Sequence, residues 1–398
     1  MTAAGIVAEY NPLHTGHFYH ISQTRKQADG LIVVMSGNAV QRGGPAFFSK
    51  WDRARAAVKC GADLVLELPA VWASAPAERF AAGAVEILAG CGCVKMISCG
   101  SESGNAGLLI QAAEAVRKAE NSPLVSQLLK TGITYAAARE EAVRQIYGDS
   151  AADLLHSPNN ILAIEYLKAN AGLAAPMDFF TVQRQGAAHD SDQAEETASA
   201  SMLRGLYAEK ESDTADKFIP EPALEIFTDA LQHGRANTDP ARLERAILYR
   251  LQTASPKELQ ILPDISEGLE NRFLTAAKEA RSLDQLLEMV KTKRYTLSRL
   301  RRIVWNLMLG NTRALTMSSP PYIRVLDFNQ TSGRELLRQM KKSASLPIFH
   351  SMAQLERLFP EYAAVEKRAT WLFNLCCPKI SDVTEYPKIV PWQETISQ

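Results

Sequence analysis

Five short apolar runs constrain this chain more than any other feature: residues 4–8, 31–35, 64–68, 94–99 and 179–183. Each is dominated by apolar residues and lacks a strict polar alternation, as suits strands covered on both faces. Amphipathic stretches at 18–28 and 50–60 separate the first three runs, and another at 78–89 follows the third. Buried strands separated by helices make a parallel sheet with right-handed crossovers. Such sheets bind ligands outside the carboxyl ends of their strands. Three turns fall at those ends and are polar or glycine-rich: His14-Thr15-Gly16-His17, Ser36-Gly37 and Gly100-Ser101-Glu102. Together they outline a nucleotide pocket on one rim.

The first turn carries the strongest chemistry. A helix start favours anions, because its free N–H groups and the positive end of its dipole point outward. Gly16 allows close approach of backbone to ligand, and two imidazoles can donate hydrogen bonds to phosphate oxygens. Other phosphate-binding patterns are missing. The chain has no GxxxxGK[ST] loop, no GxGxxG after its first strand and no HExxH, so the phosphate site must be the HxGH turn itself.

Composition bounds the rest. A chain of 398 residues with 46% hydrophobic residues buries a sizeable core and forms two or three domains. No basic segment followed by an apolar one opens the sequence, and no apolar stretch approaches ~20 residues. A cytosolic protein with no membrane partner is expected. Six cysteines (Cys60, Cys91, Cys93, Cys99, Cys376 and Cys377) then read as reduced thiols. Cys91-Gly92-Cys93 with Cys99 lacks a second ligand pair, so no metal site is expected.

The stretch Val7-Ala8-Glu9-Tyr10-Asn11-Pro12-Leu13-His14-Thr15-Gly16-His17 resembles the HxGH nucleotidyltransferase superfamily. Further blocks narrow the resemblance: Met35-Ser36-Gly37, Gln41-Arg42-Gly43, Ser49-Lys50-Trp51, 63–69, Gly100-Ser101-Glu102, 157–162, His189-Asp190, Arg294-Tyr295-Thr296 and 299–302. In that order they are similar to the bacterial tRNA(Met) cytidine acetate ligases. The resemblance implies two steps. Acetate and ATP form acetyl-adenylate and pyrophosphate, and the acetyl group then passes to N4 of the wobble cytidine of elongator tRNA(Met). It implies an α/β, Rossmann-like nucleotidyltransferase domain with a parallel sheet over residues 1–212, followed by a mainly α-helical RNA-binding domain over 213–398. It also implies ATP contacts from Val7, Ala8, Glu9, Tyr10, Asn11, Pro12, Leu13, His14, Thr15, Gly16, His17, Phe18, Tyr19 and His20, with Gly100, an asparagine of the Asn159-Asn160 pair, Arg184 and Gln185. Mg²⁺ is expected as the ATP counter-ion.

Within that set, His14 and His17 are expected to be catalytic through donors to the phosphates, an electrostatic role worth several kcal/mol per well-placed group. Lys50, Arg42 and Arg184 are candidate cationic clamps, and Lys50 reads equally well as a solvated helix start. Ala198-Ser199-Ala200-Ser201-Met202-Leu203-Arg204 stands where the superfamily carries a second, ISSTxxR-like phosphate motif, with Ala200 replacing one hydroxyl. A phosphate contact and a plain serine N-cap are both open there.

Charge separates the second half. Residues 209–290 hold 16 Asp+Glu against 10 Lys+Arg, whereas 291–342 hold 12 Lys+Arg against 2 Asp+Glu, in a chain of zero formal net charge. A local basic excess is the footprint of a phosphate-backbone partner. Lys293, Arg294, Arg299, Arg301 and Arg302 are the candidate RNA contacts, with Tyr295 and Trp305 as possible stacking surfaces. A single-stranded loop suits this layout, since its bases can be splayed out and read on their edges. Without the resemblance, two other readings stay open: a small-molecule cofactor adenylyltransferase, or a non-enzymatic tRNA-binding protein with a relict nucleotide site. Oligomeric state is not legible in the sequence.

Overall fold

The computed structural model describes residues 1–184, 198–266, 268–380, 383–387 and 391–392. Its centre is a seven-stranded sheet. In chain order the strands are β1 (Ala3–Ala8), β2 (Gly30–Ser36), the two-residue strands β3 (Ala39–Val40) and β4 (Gly44–Pro45), β5 (Leu64–Leu68), β6 (Val94–Ser101), β7 (Asp178–Gln183), β8 (Ile323–Phe328) and β9 (Ile348–Phe349). The spatial order is β7-β6-β1-β2-β5-β8-β9, and β3 pairs with β4 as a separate antiparallel hairpin. The five apolar runs are β1, β2, β5, β6 and β7, and they pair in parallel.

Why these runs are so apolar is visible in β2, while β7 at the edge of the sheet keeps only Val182 buried. Ile32 and Val34 pack into one core layer with Trp72, Phe80 and Leu88, whereas Leu31, Val33 and Met35 pack into the other with Leu13, Phe48 and Phe227. Successive side chains point to opposite faces, and helices cover both. The crossover after β1 is helix Thr15–Arg25, that between β2 and β5 includes Lys50–Lys59, and Ala77–Gly90 follows β5. All six cysteines are buried.

Beyond residue 213 the chain is rich in helices, but it does not leave the sheet alone. β8 lies antiparallel beside β5, with Leu64 opposite Phe328, and β9 extends β8 in parallel. This return, which the sequence reading did not anticipate, covers what would otherwise be a bare edge on β5. Among the described residues no helix is long and apolar enough to cross a membrane.

Candidate active site

The turn after β1 is built by its own histidines. His14, in extended conformation, caps helix Thr15–Arg25, and its Nδ1 accepts the Gly16 N–H at 3.1 Å. His17 Nδ1 accepts the His14 N–H at 3.3 Å, closing a reciprocal cap. The first helical N–H, on Thr15, donates to Phe218 O at 2.8 Å. The open helix terminus expected from the sequence is therefore corrected: these amides are already satisfied inside the protein.

What remains are the other ring nitrogens. Burial, aided by the Arg184 charge, lowers His14 to about 4, and burial with the neighbouring His14 lowers His17 well below the usual histidine value. Both rings are neutral at pH 7. A neutral imidazole whose Nδ1 accepts a main-chain proton must carry its own proton on Nε2. Two stacked rings, 3.8 Å apart between centroids, thus each retain one Nε2–H donor that the cap does not use. A Cβ on Gly16 would lie 3.0 Å from His14 Cε1, so any side chain there pushes on the first of these rings.

The rest of the stretch supports the turn. His20 Nε2 lies 2.8 Å from Ser98 Oγ on β6, and Thr24 Oγ1 lies 2.7 Å from the same oxygen. Burial lowers His20 to about 4 as well, so it docks the helix on the sheet as a neutral ring. Tyr10, at φ +46°, is buried with its ring edge-on to His17. Leu13 is fully buried in the core. Asn11 Oδ1 accepts the Phe47 N–H at 2.6 Å, and Asn11 O accepts Arg204 Nη1 at 2.7 Å. Arg204 belongs to the ISSTxxR-like stretch, whose Ser199 N-caps helix Ala200–Ala208. The structure brings that helix onto the back of the HxGH turn.

Other expected residues meet here through strand pairing. Gly100 on β6 lies opposite Val182 on β7, and Arg184 N donates to Ser101 O at 3.0 Å. Arg184 is close enough for its charge to act on His14, His17 and His20 together. The asparagine pair is engaged elsewhere on the rim. Glu102 accepts from Asn159 Nδ2 at 2.7 Å and from Asn160 N at 2.8 Å, while Asn160 Oδ1 accepts the Ser103 N–H at 3.1 Å. The pair therefore fixes the loop after β6 at the start of helix Pro158–Ala171. Gln185, His189 and Asp190 lie outside the described residues.

Two cations of helix Lys50–Lys59 do structural work. Lys50 is fully buried, with Nζ 2.5 Å from Glu67 Oε1 and 2.6 Å from Glu385 Oε1, so its reading as a phosphate clamp is corrected. Arg53, which the sequence reading passed over, is equally buried. It donates to Glu9 O at 2.6 Å, Ser36 O and Phe48 O at 3.0 Å, and also to Gly37 O. One guanidinium thus ties the end of β1 to the end of β2. Arg42 stays exposed on the β3–β4 hairpin.

The comparisons with known proteins agree with this geometry. The model of the HIGH nucleotidyl transferase family matches residues 1–386. The tRNA(Met) cytidine acetate ligase of Thermoanaerobacter sp. (strain X514) is 38% identical over 380 residues, covering 92% of this chain and 93% of its own. That of Caldanaerobacter subterraneus subsp. tengcongensis is 39% identical over 364 residues, covering 89% and 90%. The chain belongs to the tRNA(Met) cytidine acetate ligase family. Its structure resembles the crystal structure of Thermotoga maritima TmcAL bound with alpha-thio ATP, with a TM-score of 0.89 at 30% identity over 98% of this chain and 100% of that one.

For a member of this family the basic run needs sorting. Lys293, Arg294 and Arg301 are exposed on or near helix Leu297–Leu309. Arg299 instead donates through Nε and Nη2 to Asp264 O at 3.0 and 2.7 Å, and Arg302 Nε lies 2.7 Å from Asp264 Oδ2. Those two anchor the helix to the Asp264 loop. Tyr295 and Trp305 are buried, which corrects their reading as stacking surfaces: their periodicity was that of a core face.

Proposed function

We propose that this chain is an ATP-dependent ligase that activates acetate as acetyl-adenylate and acetylates N4 of the wobble cytidine of elongator tRNA(Met). The observation that carries the reading is the pair of neutral imidazoles at the carboxyl end of β1, each with Nε2–H left over, in a chain of this family. Residues 1–212 hold ATP through the Val7–His20 stretch with Gly100 and Arg184, and residues 213–398 contribute the RNA contacts. In the first step an acetate oxygen attacks the α-phosphorus. The bond from that phosphorus to the bridging oxygen breaks, and pyrophosphate leaves with the electron pair. Charge builds on the phosphate oxygens, where two preorganised neutral donors stabilise it without an added desolvated cation. In the second step the cytidine N4 attacks the acetyl carbonyl, AMP departs and N4 loses a proton.

Mg²⁺ fits as an ion carried by the nucleotide. The described residues bring no three-residue His, Cys, Asp or Glu cluster together, and phosphate oxygens with water can complete its shell. Bound there with the nucleotide, it would offset phosphate charge.

RNA contact falls to the exposed Lys293, Arg294 and Arg301, with Arg299 and Arg302 holding their helix in place. Incubation with ATP, labelled acetate and total tRNA should place label in RNA, and absence of label would overturn the reading. A Lys293→Glu/Arg301→Glu variant should lose roughly tenfold or more in tRNA affinity and flatten its salt dependence by about two contacts. Acetate-dependent ATP–pyrophosphate exchange should survive in that variant. Unchanged tRNA affinity would return the basic run to a solvated face.

A further inference from the structure

With Tyr295 and Trp305 buried, any aromatic platform for a base must lie elsewhere. Of the five tryptophans Trp371 alone is largely exposed, at 57%. It stands on helix Pro360–Cys376, which with the segment 383–387 encloses a cavity of about 260 Å³. Lys367, Thr370, Asn374 and Tyr386 complete much of the wall. Lys367 Nζ sits 5.5 Å from the Trp371 ring centroid. Asn374 Nδ2 donates to Val383 O at 2.8 Å, which ties the segment 383–387 to the helix. A volume below the ~300–1,000 Å³ of drug-sized sites suits one planar ring system.

The surroundings say what kind of ring. Helix Pro360–Cys376 packs against the basic helix Leu297–Leu309, and Arg368 Nη1 caps that helix at Leu309 O, 2.9 Å away. Both helices also pack on the β3–β4 hairpin. Gly43, at φ +80°, lets the hairpin approach so closely that a Cβ there would lie 2.6 Å from the Arg301 carbonyl carbon. On its other side the hairpin's Gln41 N–H donates to Glu9 Oε1 at 2.7 Å. One hairpin thus touches the nucleotide stretch, the basic helix and the helix bearing Trp371.

We propose that this cavity receives one unpaired base of the RNA substrate, stacked on Trp371, while a nearby base enters the nucleotide site. The proposal rests on the RNA-acetylating reading above. An indole accepts any base face, and Lys367, whose Nζ also pairs with Glu356 Oε1 at 2.6 Å, sets a cation beside the ring.

Two measurements test it. Trp371→Ala should raise the KM for tRNA in the acetylation assay by about tenfold, within the range for loss of one base–aromatic stack. Acetate-dependent exchange should stay at the wild-type rate, and Trp371→Phe should restore most of the KM. Separately, hexacytidylate should quench the intrinsic fluorescence of the wild-type protein, an abasic hexamer should not, and Trp371→Phe should lose the quench. A wild-type KM in the alanine variant would overturn the proposal, as would equal affinity for the base-bearing and abasic hexamers. A parallel fall in exchange would make Trp371 structural and also overturn it. If the wild-type protein labels no RNA, the functional reading fails, and the hexamer titration still decides whether the cavity takes a base.

Discussion

Two clusters of buried ionisable side chains sit on the carboxyl rim of the same sheet and are built on opposite principles. At the end of β1, His14, His17 and His20 are all held neutral by burial. At the end of β5, Lys50 and Arg324 meet Glu67, Glu366 and Glu385, all buried. Burial and the nearby Glu67 push Glu366 well above the usual carboxylate range. Burial acts on Glu385 too, but Lys50 and Arg324 outweigh it and hold that carboxyl down at about 2. With Glu366 carrying a proton, two carboxylates balance two cations. The charged cluster uses Lys50 Nζ and both Arg324 Nη groups on its own members and leaves the buried Arg324 Nε without a partner among the described residues. The neutral one keeps an Nε2–H on each of two rings. Burial thus neutralises the histidine cluster, whereas opposite charges hold the other one together.

The largest expected effect breaks the charged cluster. Lys50→Met leaves a carboxylate without its partner in a dry site and should cost about 3–5 kcal/mol of stability, read from urea unfolding. A loss under about 1 kcal/mol would mean the cluster is wetter than its burial implies. Next, His14→Ala and His17→Ala should each lower acetate-dependent ATP–pyrophosphate exchange at least ~100-fold, while the lost cap costs only about 0.5–2 kcal/mol of stability and leaves the protein folded. Near-wild-type exchange in both would remove the turn from the chemistry.

A more gradual effect follows from proton linkage. Folded His14 and His20 take up a proton only near pH 4, against 6.5 for an ordinary histidine. Between those values the unfolded chain binds more protons, so stability should fall as pH drops from about 6.5 to about 4. His20→Asn should shallow that slope; an unchanged slope would assign the loss to other groups. The smallest effect is Glu366→Gln. If Glu366 is already protonated, the amide replaces it within about 1 kcal/mol, and Glu385→Gln costs clearly more. Equal losses would mean that Glu366 carries a charge.

The sheet and the histidine turn were legible because each has a local signature. A strand covered on both faces reads as a largely apolar run, and HxGH after such a run places two rings at one helix start. The Lys50 cluster had no such signature, since Glu385 lies 335 residues away in sequence. A lysine opening an amphipathic helix looks solvated until its distant partners are known. β8 was hidden for a related reason: Arg324 and Asp327 interrupt its apolar pattern, yet Arg324 reaches Glu67 on β5 and Asp327 pairs with Arg55 at 2.8 Å. In the basic run, counting charges could not separate Arg301, which faces solvent, from Arg299 and Arg302, which hold Asp264.

The insertion of β8 beside β5 has a consequence for the order in which this protein is made. As the chain leaves the ribosome, the first two hundred residues contain β1, β2, β5, β6 and β7 and the histidine turn. Lys50 and Glu67 then lack Arg324 and Glu385, and the outer edge of β5 is open to stray pairing. The N-terminal half must wait, incompletely neutralised, for β8 with Arg324 and for Glu385 before its sheet can close.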